Sequence, residues 1–291
     1  MKKTFGESEL ILRPDGSVYH LGVTGSEIAD KVIIVGDPER VEQISSRFDR
    51  IDVKKASREF CIHTGKLNGT DLTVISTGIG VDNIDIVINE LDAAANINPT
   101  TRKENDTLRR LEFVRLGTSG ALSPDINLHD VVCSKAAIGM DGVPHFYDFE
   151  FSAAEKKLAS AFKKECEWPD TLAFPYAVYA SGHLVEKMKE TVDHFGITVT
   201  ANGFYGPQNR ELRIPIRRNF YDTFQNFQHG GLRITNFEME TAGIYALSEM
   251  LGHSHVTLCV ILANRVRKEF SKDPSVAVNL LIDKALNSIT N

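Results

Sequence analysis

The sequence predicts an α/β protein folded as one domain, with a mostly parallel or mixed sheet covered by helices on both faces. Three observations lead there. Short β-branched runs alternate with stretches of helical spacing, Gly, Pro and Asn-Gly mark the boundaries, and no repeat, low-complexity tract or linker breaks the alternation. The 291 residues are enough to bury an extensive core.

The first unit of this pattern is the run Lys31–Val35, closed by Gly36. Pro38 then opens a segment in which Val41, Ile44 and Phe48 recur at helical spacing, so a buried strand feeds a helix. Residues 60–67 and 71–76 alternate or are β-rich around Asn68-Gly69, a two-residue hairpin signal. Ile84, Val87, Ile88 and Leu91 mark a helix ending near Asn96. Residues 97–110 are polar and charged with one proline and read as an exposed surface insertion ahead of a strand at 112–116. Further strands are expected at 131–138, 176–180, 197–200 and 256–262, and helices at 153–164, 184–195, 239–251 and 275–288.

A formal charge of -6, from 39 acidic and 33 basic residues, weighs against a surface that coats nucleic acid. Cys61, Cys133, Cys166 and Cys259 lie far apart with no zinc-site spacing and read as reduced core thiols. Residues 1–12 alternate charged and apolar side chains, which is neither a secretory signal nor a membrane anchor. A cytoplasmic protein without nucleic-acid or membrane partners is the expectation.

Four segments carry chemistry. In Gly36-Asp37-Pro38-Glu39-Arg40, glycine lets the backbone approach an anion, a helix start offers amide donors and Arg40 adds a permanent charge; the same residues also suit a plain turn into a helix. Arg115-Leu116-Gly117-Thr118-Ser119-Gly120, after a strand, has the amides, hydroxyls and guanidinium of an oxyanion cradle, although its arginine could equally pair with a carboxylate. Asn236-Phe237-Glu238-Met239-Glu240 offers carboxylates to vicinal hydroxyls, or first-turn acids to a helix dipole. Phe204-Tyr205-Gly206-Pro207-Gln208-Asn209-Arg210 offers stacking plus an amide and a guanidinium to a heterocycle edge, or forms a Gly-Pro turn with solvated polar residues. Neither glycine segment has P-loop or dinucleotide spacing.

Taken together, in this order and spacing from about Tyr19 to Arg265, the segments resemble the nucleoside phosphorylase family that includes uridine phosphorylases. His20-Leu21-Gly22 resembles the family's N-terminal element, and Ser57-Arg58-Glu59-Phe60 its second arginine loop. The resemblance implies a three-layer α/β/α fold whose central mixed sheet is partly barrel-like. It implies that Gly36, Arg40, Arg115 and Thr118 hold phosphate, joined by Arg58 from a neighbouring subunit, and that His20 crosses the interface to the ribose 5′-hydroxyl. Met239 and Glu240 would hold ribose with Glu238 close by, Phe204, Gln208 and Arg210 would bind the base, and Leu262 would pack nearby. A homo-oligomer, a dimer or a trimer of dimers with shared active sites, follows from the same resemblance. So does a monovalent cation, K+, near Glu59 and Ser76 at the subunit interface.

Related purine enzymes carry a Ser-Asp pair where this chain has Ala263-Asn264-Arg265, so the acid that protonates a purine is missing. Gln208 and Arg210 match the pyrimidine pattern. The expected reaction is reversible phosphorolysis of uridine to uracil and ribose 1-phosphate, with phosphate as co-substrate and no organic cofactor. The alternatives are a purine or broad pyrimidine nucleoside phosphorylase and a non-catalytic nucleoside-binding homologue. The chain departs from the common pattern in the 97–110 insertion, in Gly206-Pro207, and in the extra arginines Arg213, Arg217 and Arg218.

Overall fold

The buried run Val32–Val35 pairs in parallel with a second buried run, Thr73–Ser76. The computed structural model describes residues 2–290. Two compact units emerge, one from the N-terminal stretch through Val114 with Leu247–Ser254, the other from Arg115–Ala246 with His255–Ile289.

In the first unit, β1 (Lys31–Val35) leads into α1 (Pro38–Ser45), followed by β2 (Arg50–Ser57), β3 (Phe60–Leu67), β4 (Thr70–Ser76) and α2 (Val81–Asn96). The sheet order is β1-β4-β3-β2, with β1 and β4 parallel and the other neighbours antiparallel. α1 starts where it does because Pro38 fixes the first turn and the Asp37 carboxylate accepts the Glu39 N–H at 2.9 Å. Its buried residues are Val41, Ile44 and Ser45, and Phe48 falls beyond its end. The Asn68-Gly69 hairpin forms as expected, with both residues at positive φ.

Residues 97–110 are mostly exposed and contain a two-stranded hairpin, β5 (Ile97–Asn98) and β6 (Lys103–Glu104). They also anchor the N-terminal arm. Arg102 donates to the carbonyls of Phe5 and Gly6, both at 2.9 Å, and Lys2 reaches the Asn105 carbonyl at 2.6 Å.

β7 (Glu112–Ala121) belongs to the second unit from Arg115 onward. It is followed by β8 (Val131–Gly139), α3 (Ala153–Glu165), β9 (Tyr176–Tyr179), α4 (Gly182–Lys187), β10 (His194–Thr200), α5 (Tyr221–Asn226), β11 (Gln228–His229), β12 (Leu232–Glu238), α6 (Thr241–Met250), β13 (Ser254–Asn264), β14 (Glu269–Phe270) and α7 (Pro274–Thr290). The order β12-β10-β8-β13-β7 closes on itself because β7 also pairs with β12, at Asn236↔Ala121 and Phe237↔Gly120. β10 runs parallel to both β8 and β12, whereas β13 is antiparallel to β8. The expected mixed, partly barrel-like sheet is therefore present. Phe162, Trp168, Phe220, Phe224 and Phe237 pack on its apolar side in one cluster.

Three expectations need correction. The helix expected over 184–195 stops at Lys187, and the chain enters β10 at His194. β8 pairs with residues 194–200 and β12 with residues 197–200, and Gly196 leaves room for Thr235, which a Cβ would approach to 2.6 Å from Oγ1. β7 has ten residues and contains the Arg115–Gly120 segment, so that segment is strand and not a loop after one. Of the cysteines, all free thiols, Cys61 is only half-buried and the other three are core residues. Among the described residues, no helix is long and apolar enough to cross a membrane.

Candidate active site

In the second unit the site begins with Arg115, which is 5% exposed. Its Nη2 pairs with the Glu240 carboxylate and lies 3.3 Å from Glu238 Oε2, while Nη1 sits 3.4 Å from Cys259 Sγ. Burial by itself would lower the proton affinity of this guanidinium, but Glu238 and Glu240 outweigh it and hold Arg115 above its ordinary value. Cys259 is pushed up to about 11 by burial, with Arg115 pulling in the opposite direction, so it is a neutral thiol at neutral pH. The side chain of Arg115 folds back along its own strand into the space that Gly117 leaves open. A Cβ at Gly117 would lie 2.8 Å from Arg115 Cζ and 3.0 Å from Cys259 Sγ, and closer still to Nη1. Thr118, on the same strand, is half-buried.

Glu238 closes β12 and is fully engaged. It accepts the backbone N–H groups of Glu240 and Thr241, both at 2.9 Å, and the Thr200 hydroxyl at 2.6 Å. Its carboxylate thus fixes the turn carrying Met239 and Glu240 at the start of α6, a capping role that the helix-dipole reading of the Glu-Met-Glu segment anticipates. Behind it a buried chain of hydroxyls and amides links four strands: Ser134 to Thr198, Thr198 to Asn236 at 2.9 Å, and Asn236 to Ser119 at 3.0 Å.

The base-side residues gather on the loop after β10. A 3-10 turn at Gly206–Gln208 buries Gln208, whose Oε1 accepts from Arg210 Nη1 at 2.6 Å. The Arg210 guanidinium lies 3.8 Å from the centroid of Phe204, whose ring is 50% exposed and so open on one side. Burial and the nearby charge of Arg265 bring Arg210 down to about 10. Arg265 Nη2 donates to the Gln208 carbonyl at 3.1 Å, and its Nη1 is buried with no protein partner, as is the Tyr221 hydroxyl under the same guanidinium. Two half-buried cations side by side with unsatisfied polar atoms make a place where an anion-forming ring would be stabilised.

Arg265 joins these residues through the fold, although in the sequence Ala263-Asn264-Arg265 draws attention only by the acid it lacks. Asn264 itself is turned away: its amide donates to the Ser123 and Ile126 carbonyls at 2.9 and 2.8 Å and its oxygen accepts from Val266 and Arg267. Leu262 is half-buried on β13. Beside Arg210 a cavity of about 1110 Å³ opens between Tyr205, Pro207, Leu212, Ile214 and Phe220, so the arginine-rich 210–218 segment forms one of its walls.

The first unit supplies the remaining expected residues. Gly36 lies against the backbone of Gly78, where a Cβ would come within 3.3 Å of the carbonyl oxygen, and Arg40 is half-buried on the first turn of α1. Arg58 sits exposed at the tip of the β2–β3 hairpin with φ +57, a left-handed conformation that a non-glycine residue adopts at a cost. His20 is half-exposed and braced by Glu90, which accepts from its ring Nδ1 at 2.5 Å and from its backbone N–H at 3.0 Å. Near the expected cation position, the buried Ser76 hydroxyl donates to the Glu59 carbonyl and accepts from the Cys61 N–H, both at 2.8 Å, which leaves one hydroxyl lone pair unused by these bonds. Among the described residues no group of His, Cys, Asp and Glu is placed to hold a metal ion.

A closed mixed barrel thus carries a buried arginine between two glutamates and, on the loop after β10, an amide, a guanidinium and an aromatic ring, groups whose chemistry suits an oxyanion, sugar hydroxyls and a heterocycle edge. The chain belongs to the phosphorylase superfamily, whose model matches residues 30–284. It is 30% identical to the uridine phosphorylase of Thermococcus kodakarensis over 98% of this chain and 91% of that one. The uridine phosphorylase of Escherichia coli is likewise 30% identical, over 92% of this chain and 96% of its own length. Among solved structures, the Trypanosoma brucei nucleoside phosphorylase, reported to show uridine phosphorylase activity, superimposes with a TM-score of 0.87 at 28% identity, covering 96% of this chain and 98% of that one. The chain is therefore a pentosyltransferase of the nucleoside phosphorylase type.

Proposed function

We propose that the nucleoside is uridine and that the reaction is its reversible phosphorolysis to uracil and ribose 1-phosphate. The observation carrying this reading is the buried Gln208 amide locked to Arg210 above Phe204, with Arg265 adding a second positive charge. Gln208 can both donate and accept, as the N3–H and adjacent carbonyl of uracil require, while the paired guanidinium groups favour negative charge on the departing ring. The uridine phosphorylases to which the chain is similar support the same choice.

In this reading the C1′–N1 bond of uridine breaks as a phosphate oxygen bonds to C1′, and the electron pair leaves with uracil. Glu240 accepts hydrogen bonds from the ribose hydroxyls and Met239 packs against the sugar, both held in place by Glu238. In the second unit, phosphate is assigned to Arg115 and Thr118. His20 and Arg58 serve a neighbouring copy, the first at the ribose 5′-hydroxyl and the second at phosphate, which makes the enzyme a homo-oligomer. Positioning and electrostatic stabilisation carry the rate, and no step is routed through a cation.

Assaying uridine, thymidine, inosine and adenosine with and without phosphate tests the proposal. Phosphate-dependent cleavage of uridine well above inosine is expected; preference for a purine nucleoside, or cleavage independent of phosphate, overturns it. A second expected result concerns pH. With Arg210 near 10, its charge is present below that value and lost above it, so kcat/KM falls as pH rises through about 10. In Arg210→Gln the rate at neutral pH drops by roughly 10²-fold and this limb disappears. A limb unchanged in the variant belongs to ionisation of the substrate and removes Arg210 as its source.

A further inference from the structure

Arg13, which no motif singles out, ties together two segments far apart in the sequence. Its Nε donates to the Tyr19 carbonyl at 2.9 Å, and Nη2 donates both to the His20 carbonyl at 3.2 Å and to the Ser57 hydroxyl at 2.7 Å. One planar guanidinium thus spans the backbone immediately before and at His20 and the residue immediately before Arg58. Gly22 is fitted to this arrangement: it has φ +66, and a Cβ there would lie 2.8 Å from Arg13 Cζ. On the other side, Lys55 of β2 donates to the Gly22 carbonyl at 2.8 Å, and the Arg58 guanidinium lies 5.9 Å from the ring centroid of Tyr19. Glu90 takes the His20 ring through Nδ1, which leaves Nε2 as the nitrogen directed away from that anchor.

We propose that Arg13 is a positioning residue that fixes the His20 segment and the Arg58 turn as one presenting surface, so that a ribose contact and a phosphate contact reach a neighbouring copy at a set spacing. The proposal rests on the reading that His20 and Arg58 act on that neighbour. Its physical basis is that two donors serving one bound pair of substrates act together only when their separation matches the ligands; His20 is anchored by Glu90 among buried neighbours, whereas Arg58 sits on an exposed turn whose link to that anchor runs through Ser57 and Arg13. An arginine suits the task because its fork addresses three acceptors in one plane, which the single ammonium of lysine does not do.

The test uses the full-length oligomer and steady-state kinetics with uridine and phosphate varied separately. Ser57→Ala removes only the branch to the Arg58 turn and is expected to raise KM for phosphate about 3–10-fold while leaving KM for uridine unchanged. Arg13→Ala is expected to raise both by about 10-fold or more, and Arg13→Lys not to restore them. In an Arg58→Ala background, Ser57→Ala should have no further effect. If Ser57→Ala and Arg13→Lys behave as wild type while His20→Ala and Arg58→Ala impair the enzyme, the positioning role is overturned and the reading of His20 and Arg58 stands. If His20→Ala and Arg58→Ala are themselves silent, that reading fails and the proposal falls with it. Should Arg13→Ala not fold, Ser57→Ala and its cycle with Arg58→Ala decide the matter.

Discussion

Replacing Arg115 with alanine is expected to remove nearly all phosphate-dependent uridine cleavage, a loss on the order of 10³-fold or more, and to cost about 3–5 kcal/mol of stability. Both effects follow from one arrangement. Arg115 is buried between Glu238 and Glu240, so its removal takes away the cation assigned to phosphate and leaves buried carboxylates without their counter-charge. Glu238 keeps its three other donors, from Thr200, Glu240 and Thr241, whereas Glu240 loses the pairing with Arg115. The damage should therefore reach the placement of Glu240, to which the ribose contact is assigned. Turnover in phosphate and urea unfolding of the same preparation check the two parts. Wild-type-like turnover in a folded variant would sink the phosphate assignment.

Gly117→Ala should produce a similar loss while retaining every functional side chain. The added methyl would occupy the space of the Arg115 guanidinium and press on Cys259 Sγ at 3.0 Å, and neither neighbour can move freely within the barrel. Arg115 is then displaced from Glu240, and turnover should fall by about 10²-fold or more. Because the two substitutions act through the same contact, combining Gly117→Ala with Arg115→Ala should cost little more activity than Arg115→Ala alone. Additive losses in the double variant would show that Gly117 matters for some reason other than the placement of Arg115.

These residues show why parts of the molecule are legible from sequence and others are not. Strand β1, Gly36 and α1 can be read because the local signals agree: an apolar run, a capping aspartate and a proline on the first turn. β2 is hidden because its face alternates only between exposed and half-buried, so Arg50, Asp52, Lys54 and Lys55 dilute the apolar pattern. The glycines of β7 look like a loop when taken locally. Their reason is tertiary, since Gly117 houses Arg115 and a Cβ at Gly120 would contact the Arg265 side chain at 3.3 Å. Likewise Leu184 and Phe195 share a helical spacing, but β8 claims residues 194–200 and β12 residues 197–200 as strand. On the loop after β10, Gln208 and Arg210 can be paired from the sequence because only Asn209 separates them. Arg13 and Arg265 escape notice because their partners, Ser57 and Gln208, are brought to them only by the fold.

The seam that closes the barrel is short, two residue pairs between β7 and β12, and both strands carry site residues a few positions away: Arg115 and Thr118 on one, Glu238 on the other. Opening that seam would separate β7 from β12 and so part Arg115 from Glu238. Conversely, any anion that binds Arg115 only in the closed form holds the seam shut in proportion to its occupancy. Slower amide exchange at Gly120, Ala121, Asn236 and Phe237 on adding phosphate would then report ligation directly, without any turnover. For an enzyme whose co-substrate is a common cellular anion, ordinary phosphate would act as a standing chaperone of its own binding site.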